Sequence, residues 1–355
     1  MRRVVTVLGV NLLVTLLLLA ILEGGSRLVN PVAIPTTLVF RFEPGWEGRS
    51  QYDRLLFWRM RPGIEHDGEI YTNSLGLRGP EIPAKQPGEY RILSLGESTT
   101  FARRLPYEKS YSARLEAELA PLVGGEVRVV NAGVPGYTSF QGYQYLRHKG
   151  ISLEPDAVLI YFGFNDFLPI SFRISRESES LDADAARTDR QLFAERQSLS
   201  FRLTDLLLRY SNLARTILLR GQGPDAGITS LSGRVRVPAQ DRRWALEAFR
   251  RFCQEHQIQL VVVIPWYRKF ADHIPLLREL ADWEDVTLVD LPDRLAGYDD
   301  TRSDWFIDEV HPTAEGHDLI SDEIAKAFRE RILETTPPEP GPVDAGRSMR
   351  VSPEV

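Results

Sequence analysis

The sequence has only one cysteine, Cys253, among its 355 residues. A single cysteine excludes an internal disulfide and any metal site built from several cysteines. Cys253 lies in the helical pattern "FRRFCQEH", where we expect a small packing residue rather than a thiol catalyst.

The sequence also lacks a run or stripe of basic residues. Its formal net charge is −6, and both signs are interspersed along the chain. Proteins that bind nucleic acid usually cluster their positive charge, so we expect no nucleic acid among the partners. The hydrophobic content of 43% is ordinary for a globular protein that buries a core.

Charge is absent from the N-terminal run Val4–Leu22, which follows Arg2 and Arg3. Nineteen helical residues span roughly the 30 Å hydrocarbon core of a bilayer. We therefore predict a transmembrane anchor over residues 1–27. The two arginines should stay cytoplasmic and place the rest of the chain on the periplasmic or cell-surface side. A cleaved signal peptide is the alternative, although no clear A-x-A site follows the run.

Beyond the anchor, composition divides the chain into three further parts. Residues 28–89 are rich in aromatics, Pro and Gly, and we expect an extracytoplasmic strand-and-loop segment packed on the core. Residues 90–335 form the main domain. Residues 336–355 are rich in Pro and Gly, which is typical of a disordered tail.

The main domain alternates short apolar runs with helical patterns. Five runs are rich in Val, Ile and Leu: "RILSL", "EVRVVNAG", "AVLIYFG", "QLVVVIP" and "VTLVDL". This alternation predicts an α/β fold with a parallel sheet of about five strands, covered on both faces. Such sheets carry their chemistry at the carboxyl ends of the strands.

An insertion at about residues 168–240 separates the third and fourth predicted strands. Its first part is polar, and its second part, "LFAERQSLSFRLTDLLLRYSNLARTILLR", is an amphipathic helical pattern. Three roles stay open for this pattern: a helix packed on the sheet, a lid over the active site, or a contact with the membrane surface.

Ser98 follows the first predicted strand in "RILSLGESTTFA". Serine is a preferred residue at helix starts, so the stretch taken alone favours a helix cap. A serine nucleophile would also need a base to take its proton and donors to stabilise the oxyanion.

His311 is the base candidate among six histidines, since it alone lies in a loop between the last strand and the C-terminal helical pattern. The six are His66, His148, His256, His273, His311 and His317. Asp308 precedes His311 by three residues in "DEVHP", so one turn can bring its carboxylate to Nδ1–H. That contact would fix the tautomer and leave Nε2 free to face Ser98.

Candidate oxyanion donors follow the second and third strands. Gly133 ends "VVNAG", and a glycine N–H can approach a ligand closely. Asn165 and Asp166 lie in "GFND", where the Asn165 amide can donate to developing negative charge, as can the Ser98 N–H. Each residue alone is equally typical of a turn.

Together these blocks resemble the SGNH hydrolases, also called GDSL esterases and lipases. Ser98 in "GEST", Gly133, Asn165 in "GFND", and Asp308 with His311 in "DEVHP" match the four family blocks over about residues 90–330. The resemblance implies a flavodoxin-like three-layer α/β/α sandwich and ester hydrolysis or acyl transfer through an acyl-serine, without metal or cofactor. It also implies an oxyanion hole of the Ser98 and Gly133 N–H groups and the Asn165 amide. Two features depart from the family pattern: Glu97 replaces the usual aspartate, and the insertion is long.

The sequence therefore favours a membrane-anchored, bacterial-type serine esterase that acts on an acyl or acetyl ester of an envelope glycan or lipid. Arg78, between two glycines, is a candidate for binding an anionic substrate group, and Asp166 is a second candidate for substrate binding. An O-acyltransferase with a sugar acceptor, a non-catalytic glycan-binding protein and a flavodoxin-type cofactor module are the alternatives.

Overall fold

The computed structural model describes residues 2–31, 49–66, 69–121, 126–174, 187–218 and 228–335. The predicted tail, residues 336–355, lies outside these ranges. Most of the polar first part of the insertion, residues 175–186, also lies outside them.

The strands in the described ranges are β1 (Ser50–Asp53), β2 (Phe57–Met60), β3 (Ile64–His66), β4 (Glu69–Thr72), β5 (Tyr90–Gly96), β6 (Val127–Gly133), β7 (Ala157–Tyr161), β8 (Pro169–Ile174), β9 (Ile228–Val235), β10 (Gln259–Ile264) and β11 (Val286–Asp290). The α-helices are α1 (Arg2–Val29), α2 (Ser98–Phe101), α3 (Tyr111–Leu119), α4 (Ser139–His148), α5 (Phe164–Phe167), α6 (Asp189–Gln197), α7 (Leu199–Tyr210), α8 (Asn212–Leu218), α9 (Ala239–Glu255), α10 (Ile274–Arg278), α11 (Leu291–Arg294) and α12 (Ala314–Thr335). Short 3-10 helices cover Tyr107–Lys109, Gly150–Leu153, Glu279–Asp282 and Ala296–Trp305.

The central sheet has five parallel strands in the order β11-β10-β7-β5-β6. Numbered along the chain, this is the order 2-1-3-4-5 of flavodoxin-like folds, read from the other edge. The five strands coincide with the five apolar runs of the sequence, so the predicted parallel sheet is confirmed.

Helices cover both faces of this sheet. Successive residues of β5 point to opposite sides, so Leu93 and Ile92 belong to two separate apolar clusters. The Leu93 cluster includes Phe249 of α9, and the Ile92 cluster includes Leu115 of α3 and Ile324 of α12. The predicted three-layer α/β/α sandwich is therefore confirmed.

The N-terminal hairpins β1–β2 and β3–β4 pack against one of these layers. Leu56, Trp58 and Met60 are buried in the same cluster as Leu93. The Tyr137 hydroxyl donates to the Trp58 carbonyl at 2.6 Å, which ties β2 to the loop after β6. The segment thus holds a loop at the carboxyl edge of the sheet.

The insertion contains more structure than its sequence indicated. Its single amphipathic pattern is divided into α6, α7 and α8, because Ser198 and Ser211 interrupt it. The Ser198 hydroxyl accepts from the Phe201 N–H at 3.2 Å, and Ser211 accepts from Ala214 at 2.9 Å. Strands β8 and β9, which were not predicted, pair as an antiparallel hairpin around these helices.

Helix α1 contains the apolar run. Within the described ranges, Thr6–Val29 is long and apolar enough to cross a membrane. Its leucines and valines are exposed rather than packed against the protein. The helix therefore has the features of a membrane anchor or a signal peptide.

Cys253 is buried on α9 in the apolar core. Burial raises the pKa of its thiol to about 12, so the sulfur stays protonated at neutral pH. This environment agrees with a packing role.

Replacing Leu93 by alanine should destabilise the sheet by about 2–5 kcal/mol, since Leu93 is fully buried in β5 and the substitution leaves a cavity. Thermal unfolding of the detergent-solubilised full chain, followed by near-UV circular dichroism, measures the effect. Leu75→Ala is the control and should change little, because Leu75 is 49% exposed. Equal effects of the two substitutions would contradict the assignment of the core.

Candidate active site

Ser98 lies where β5 ends and α2 begins. Gly96 ends β5, Glu97 is extended, and Ser98 is the first residue of α2. Gly96 must lack a side chain, because a Cβ there would lie 1.8 Å from Thr100 Oγ1. This close approach sets Ser98 at the carboxyl edge of the sheet. Because Ser98 lies in the first turn of α2, its backbone N–H has no acceptor within the helix.

The residues after Ser98 are fixed by partners on other elements. The Thr99 hydroxyl donates to the Val310 carbonyl at 3.3 Å, which joins the serine turn to the loop of His311. Thr100 Oγ1 and the Tyr111 hydroxyl are hydrogen-bonded at 2.7 Å. The turn that carries Ser98 is therefore held in place by the Val310 backbone and the Tyr111 side chain.

His311 and Asp308 form a connected pair with Ser98. His311 Nε2 lies 2.8 Å from Ser98 Oγ, and His311 Nδ1 lies 2.9 and 2.8 Å from the two Asp308 oxygens. Arg104 adds an ion pair to Asp308 at 3.3 Å. In this arrangement Asp308 holds Nδ1 protonated and leaves Nε2 as the acceptor for the serine proton.

The Asp308 carboxylate is stabilised in its charged form. Burial raises its pKa, but the N–H groups of Val310 and His311 and the imidazole outweigh burial and leave the pKa below its usual value. The two N–H groups donate to Asp308 Oδ1 at 3.0 and 2.9 Å. Asp308 is therefore ionised at neutral pH and can stabilise an imidazolium.

Asn165 lies in α5, which follows β7. Its Nδ2 group donates to the Tyr137 carbonyl at 3.0 Å, and its backbone N–H donates to Glu97 Oε2 at 3.2 Å. An amide nitrogen carries two hydrogens, so the side chain of Asn165 retains one for a ligand.

Glu97 occupies the position next to Ser98 and is fully buried. The Tyr267 hydroxyl donates to its Oε1 atom, while Asn165 binds its Oε2 atom. Burial raises the pKa of Glu97 to about 7; the hydrogen bonds from Tyr267 and Asn165 oppose that shift, and nearby Asp166 adds to it. Glu97 therefore joins the ends of β5, β7 and β10 through one carboxyl group.

Gly133 does not supply a free donor, which corrects the sequence-based expectation. Its N–H donates to Asn131 Oδ1 at 3.0 Å. A Cβ on Gly133 would lie 2.5 Å from the backbone nitrogen of Phe101, so Gly133 serves the close packing of α2 on β6.

Gly136, three residues later, has the free N–H that Gly133 lacks. The Tyr137 N–H donates to the Val134 carbonyl at 3.0 Å, and Gly136 has φ +80°, as in a type II turn with Pro135 before it. Among the described residues, no acceptor binds the Gly136 N–H, whereas its carbonyl accepts from Arg236 at 2.7 Å. The Pro-Gly pair in "VVNAGVPGYTS" was the available signal for this turn.

Arg78 does not face a substrate. It is 3% exposed, and its guanidinium donates to the carbonyls of Tyr71 and Leu105 at 3.2 and 2.9 Å. It also lies over the rings of Tyr71 and Phe101. The expectation that it binds an anionic group is wrong, because sequence alone does not show burial, and Arg78 joins β4 to the loop after α2.

Asp166 is also a structural residue. Its carboxylate accepts from the Ser139 N–H at 2.8 Å and from the Ser139 hydroxyl at 2.6 Å, so it holds the start of α4. Burial raises its pKa to about 6. Its side chain is buried, which contradicts the expected contact with substrate.

Two other histidines near the sheet edge are buried and neutral. Burial lowers the pKa of His317 to about 3, and its Nδ1 accepts from the Tyr111 N–H at 3.2 Å. Burial likewise lowers the pKa of His273 to about 4. Neither is placed to take a proton from Ser98, since His311 already occupies that position.

Comparison with known families identifies the family of this chain. The profile of the GDSL-like lipase/acylhydrolase family matches residues 94–276, slightly more than half of the chain. The chain belongs to this family. The resemblance seen in the sequence is confirmed, and the protein is an ester-hydrolysing enzyme.

The solved structures to which the chain is similar are distant in sequence. The acetyl xylan esterase AlAXEase is 16% identical, with 67% of this chain and 98% of that chain covered and a TM-score of 0.42. A lipase/acylhydrolase from Enterococcus faecalis is 16% identical, with 68% and 96% covered and a TM-score of 0.43. TesA is 17% identical, with 68% and 98% covered and a TM-score of 0.43. No curated protein matches the chain.

The pH dependence of stability should differ between the wild type and Glu97→Gln. The pKa of Glu97 is raised on folding, so the folded chain holds this proton up to about pH 7, whereas the unfolded chain loses it near pH 4.5. Raising the pH from 5 to 8 should therefore lower the free energy of unfolding of the wild type, relative to the variant, by about 1–3 kcal/mol. Thermal unfolding at the two pH values measures this difference. Parallel pH dependences would show that Glu97 does not titrate in this range.

Proposed function

We propose that the protein is a serine esterase in which Ser98 is the nucleophile, His311 the general base and Asp308 the group that orients His311. The observation that carries this proposal is the unbroken chain from Asp308 through both ring nitrogens of His311 to Ser98 Oγ. A structural role for Ser98 as a helix cap is not supported, because Glu97, not Ser98, occupies the N-cap position of α2.

The first half-reaction follows from this geometry. Ser98 Oγ attacks the ester carbonyl carbon while its proton passes to His311 Nε2. The resulting imidazolium is stabilised by ionised Asp308. When the tetrahedral intermediate collapses, its C–O bond breaks and the alcohol leaves with the proton from Nε2. An acyl group then remains on Ser98.

We propose three donors for the oxyanion that develops during this attack. They are the Ser98 N–H at the start of α2, the Gly136 N–H of the type II turn, and the remaining Nδ2 hydrogen of Asn165. Each is held by a neighbouring element before substrate arrives, so little reorganisation is needed during the reaction. Gly136 takes the role that the sequence assigned to Gly133.

The second half-reaction releases the acyl group. His311 takes a proton from water, the hydroxide attacks the acyl-serine carbonyl, and the proton returns to Ser98 Oγ as the carboxylic acid leaves. An acyltransferase would replace this water by a sugar hydroxyl. Both reactions share the acyl-serine, so they are distinguished by their products.

The proposed location rests on α1. We propose that α1 anchors the chain, that Arg2 and Arg3 stay in the cytoplasm, and that the catalytic domain lies on the extracytoplasmic side. An anchored esterase meets acylated envelope glycans and lipids, and an acetyl or other short acyl ester on these molecules is the proposed substrate.

Ser98→Ala and His311→Ala should each lower kcat on short-chain and acetyl esters by about 10³-fold or more. The first change removes the nucleophile, and the second removes the base that takes its proton. His256→Ala is the matched control, since His256 is exposed on the surface. Release of free acid by the detergent-solubilised full chain, with and without a sugar acceptor, is the measurement.

Covalent labelling of Ser98 by a fluorophosphonate separates the alternatives. Labelling with release of free acid supports the hydrolase, and labelling with transfer of the acyl group to the sugar makes the protein a transferase. If the wild type shows no labelling and no turnover, the proposal is contradicted and a glycan-binding role remains.

Asn165→Ala should lower kcat by about 10²–10³-fold with a smaller change in KM, because the lost donor acts mainly on the oxyanion. Asn212→Ala is the control, since Asn212 is the first residue of α8 in the insertion. Steady-state kinetics on an acetyl ester measure both parameters. A change in KM alone would exclude Asn165 from the oxyanion hole.

A further inference from the structure

The polar end of α1 is bound directly to the junction of α7 and α8. Glu23 Oε1 accepts from the Asn212 N–H at 2.7 Å, and Oε2 accepts from the Ser211 hydroxyl at 2.7 Å and the Leu213 N–H at 3.0 Å. Glu23 therefore caps the start of α8. Arg27 completes the contact, because it binds Glu23 and donates to the Tyr210 carbonyl at the end of α7.

A second set of contacts fixes the same junction. Asn212 Nδ2 donates to Ser26 Oγ at 2.6 Å and to the Asn30 carbonyl at 2.9 Å. Residues 23–30 of α1 and the loop after it thus contact the insertion through several polar groups. The α7–α8 junction consequently lies at the level where the apolar run of α1 ends.

Helix α7 exposes an apolar stripe beside this junction. Leu199, Leu203, Leu206 and Tyr210 recur at spacings of four, three and four, so they share one face of the helix. They are 70%, 52%, 54% and 69% exposed, and neighbouring Leu207 is 48% exposed. Soluble surfaces rarely expose large apolar residues in such a contiguous patch.

The charge around the stripe favours a lipid surface. Residues 199–218 contain three arginines, Arg202, Arg209 and Arg215, and one aspartate, Asp205, which gives a net charge of +2. In the described part of the chain α7 contacts α6, α8 and the end of α1. None of these contacts brings it to Ser98 or His311, which disfavours the alternative of a lid.

We infer that α7 lies in the interface of the same membrane that α1 crosses, with the Leu199–Tyr210 stripe turned into the lipid. Interfacial helices of this kind bury their apolar face about 5–10 Å below the headgroups. The hydrogen bonds of Glu23 and Asn212 hold the Tyr210 end of the stripe at the level where the apolar run of α1 ends. This inference rests on the proposed membrane anchor, and it adds a second, lateral contact that orients the catalytic domain on the bilayer.

The test uses the full-length chain with single nitroxide labels in vesicles of phosphatidylcholine with a minority of phosphatidylglycerol. Labels enter through Leu203→Cys, Leu206→Cys, Thr204→Cys and Val14→Cys, and buried Cys253, protonated at neutral pH, does not compete for the label. Thr204 is the matched control, since it is exposed on the same helix but outside the stripe. The measured quantity is the accessibility of each label to oxygen relative to a water-soluble nickel complex.

We expect this ratio to be several-fold higher at positions 203 and 206 than at 204, and highest at position 14. Equal, water-like ratios at 203, 206 and 204 with a lipid-like label at 14 would overturn the inference and leave the anchor intact. A water-like ratio at position 14 would contradict both the membrane anchor and the inference about α7. Dipolar broadening between labels at 203 would mean that a second copy covers the stripe, which also overturns the inference.

Hydrolysis of a soluble acetyl ester in the same vesicles separates this inference from the proposed chemistry. Leu203→Glu with Leu206→Glu should move a label at Tyr210→Cys into water, while hydrolysis of the soluble ester stays unchanged. An unmoved label would contradict the lipid contact. If the wild-type chain shows no hydrolysis that depends on Ser98, the proposed function is contradicted instead.

Discussion

The register of the three neighbouring strands β6, β5 and β7 determines the geometry of the site. Gly96 of β5 pairs with Gly133 of β6 and Tyr161 of β7, so the three chains leave the sheet at one level. Because parallel strands place all their carboxyl ends at one edge, the loops that follow carry their polar residues to a common point. Glycine at position 96 lets α2 pack against that edge and keeps Ser98 close to Asn165 and His311.

Glu97 connects the loops that follow β7 and β10 to the turn of Ser98. Its carboxyl group is long enough to reach the backbone of Asn165 and the hydroxyl of Tyr267 from the residue beside Ser98. The family places an aspartate at this position, and the extra methylene here is accommodated by contacts with two neighbouring strand ends. With glutamate at this position the turn is bound to both neighbouring strand ends, and Ser98 and His311 lie at hydrogen-bond distance.

The sequence could predict the parts of the structure that depend on local pattern. Five apolar runs predicted five strands, and the i, i+3 spacing of Asp308 and His311 predicted a contact that is present. The exposure of a side chain depends on the whole fold, so Arg78 and Asp166 were misassigned as substrate contacts. The availability of an N–H depends on its neighbours, so Gly133 was chosen over Gly136. Strands β8 and β9 pair across more than 50 residues, and no local pattern showed that pairing.

The 213 residues that separate Ser98 from His311 have a consequence for synthesis. The chain emerges from its N-terminus, so α1 and Ser98 are made long before the histidine loop. Under the proposed mechanism, a nascent or truncated chain carries only an ordinary serine hydroxyl, which is a weak nucleophile without its base. Hydrolytic activity would then begin only when the loop of His311 has folded against the end of β5, and incomplete chains would not hydrolyse esters.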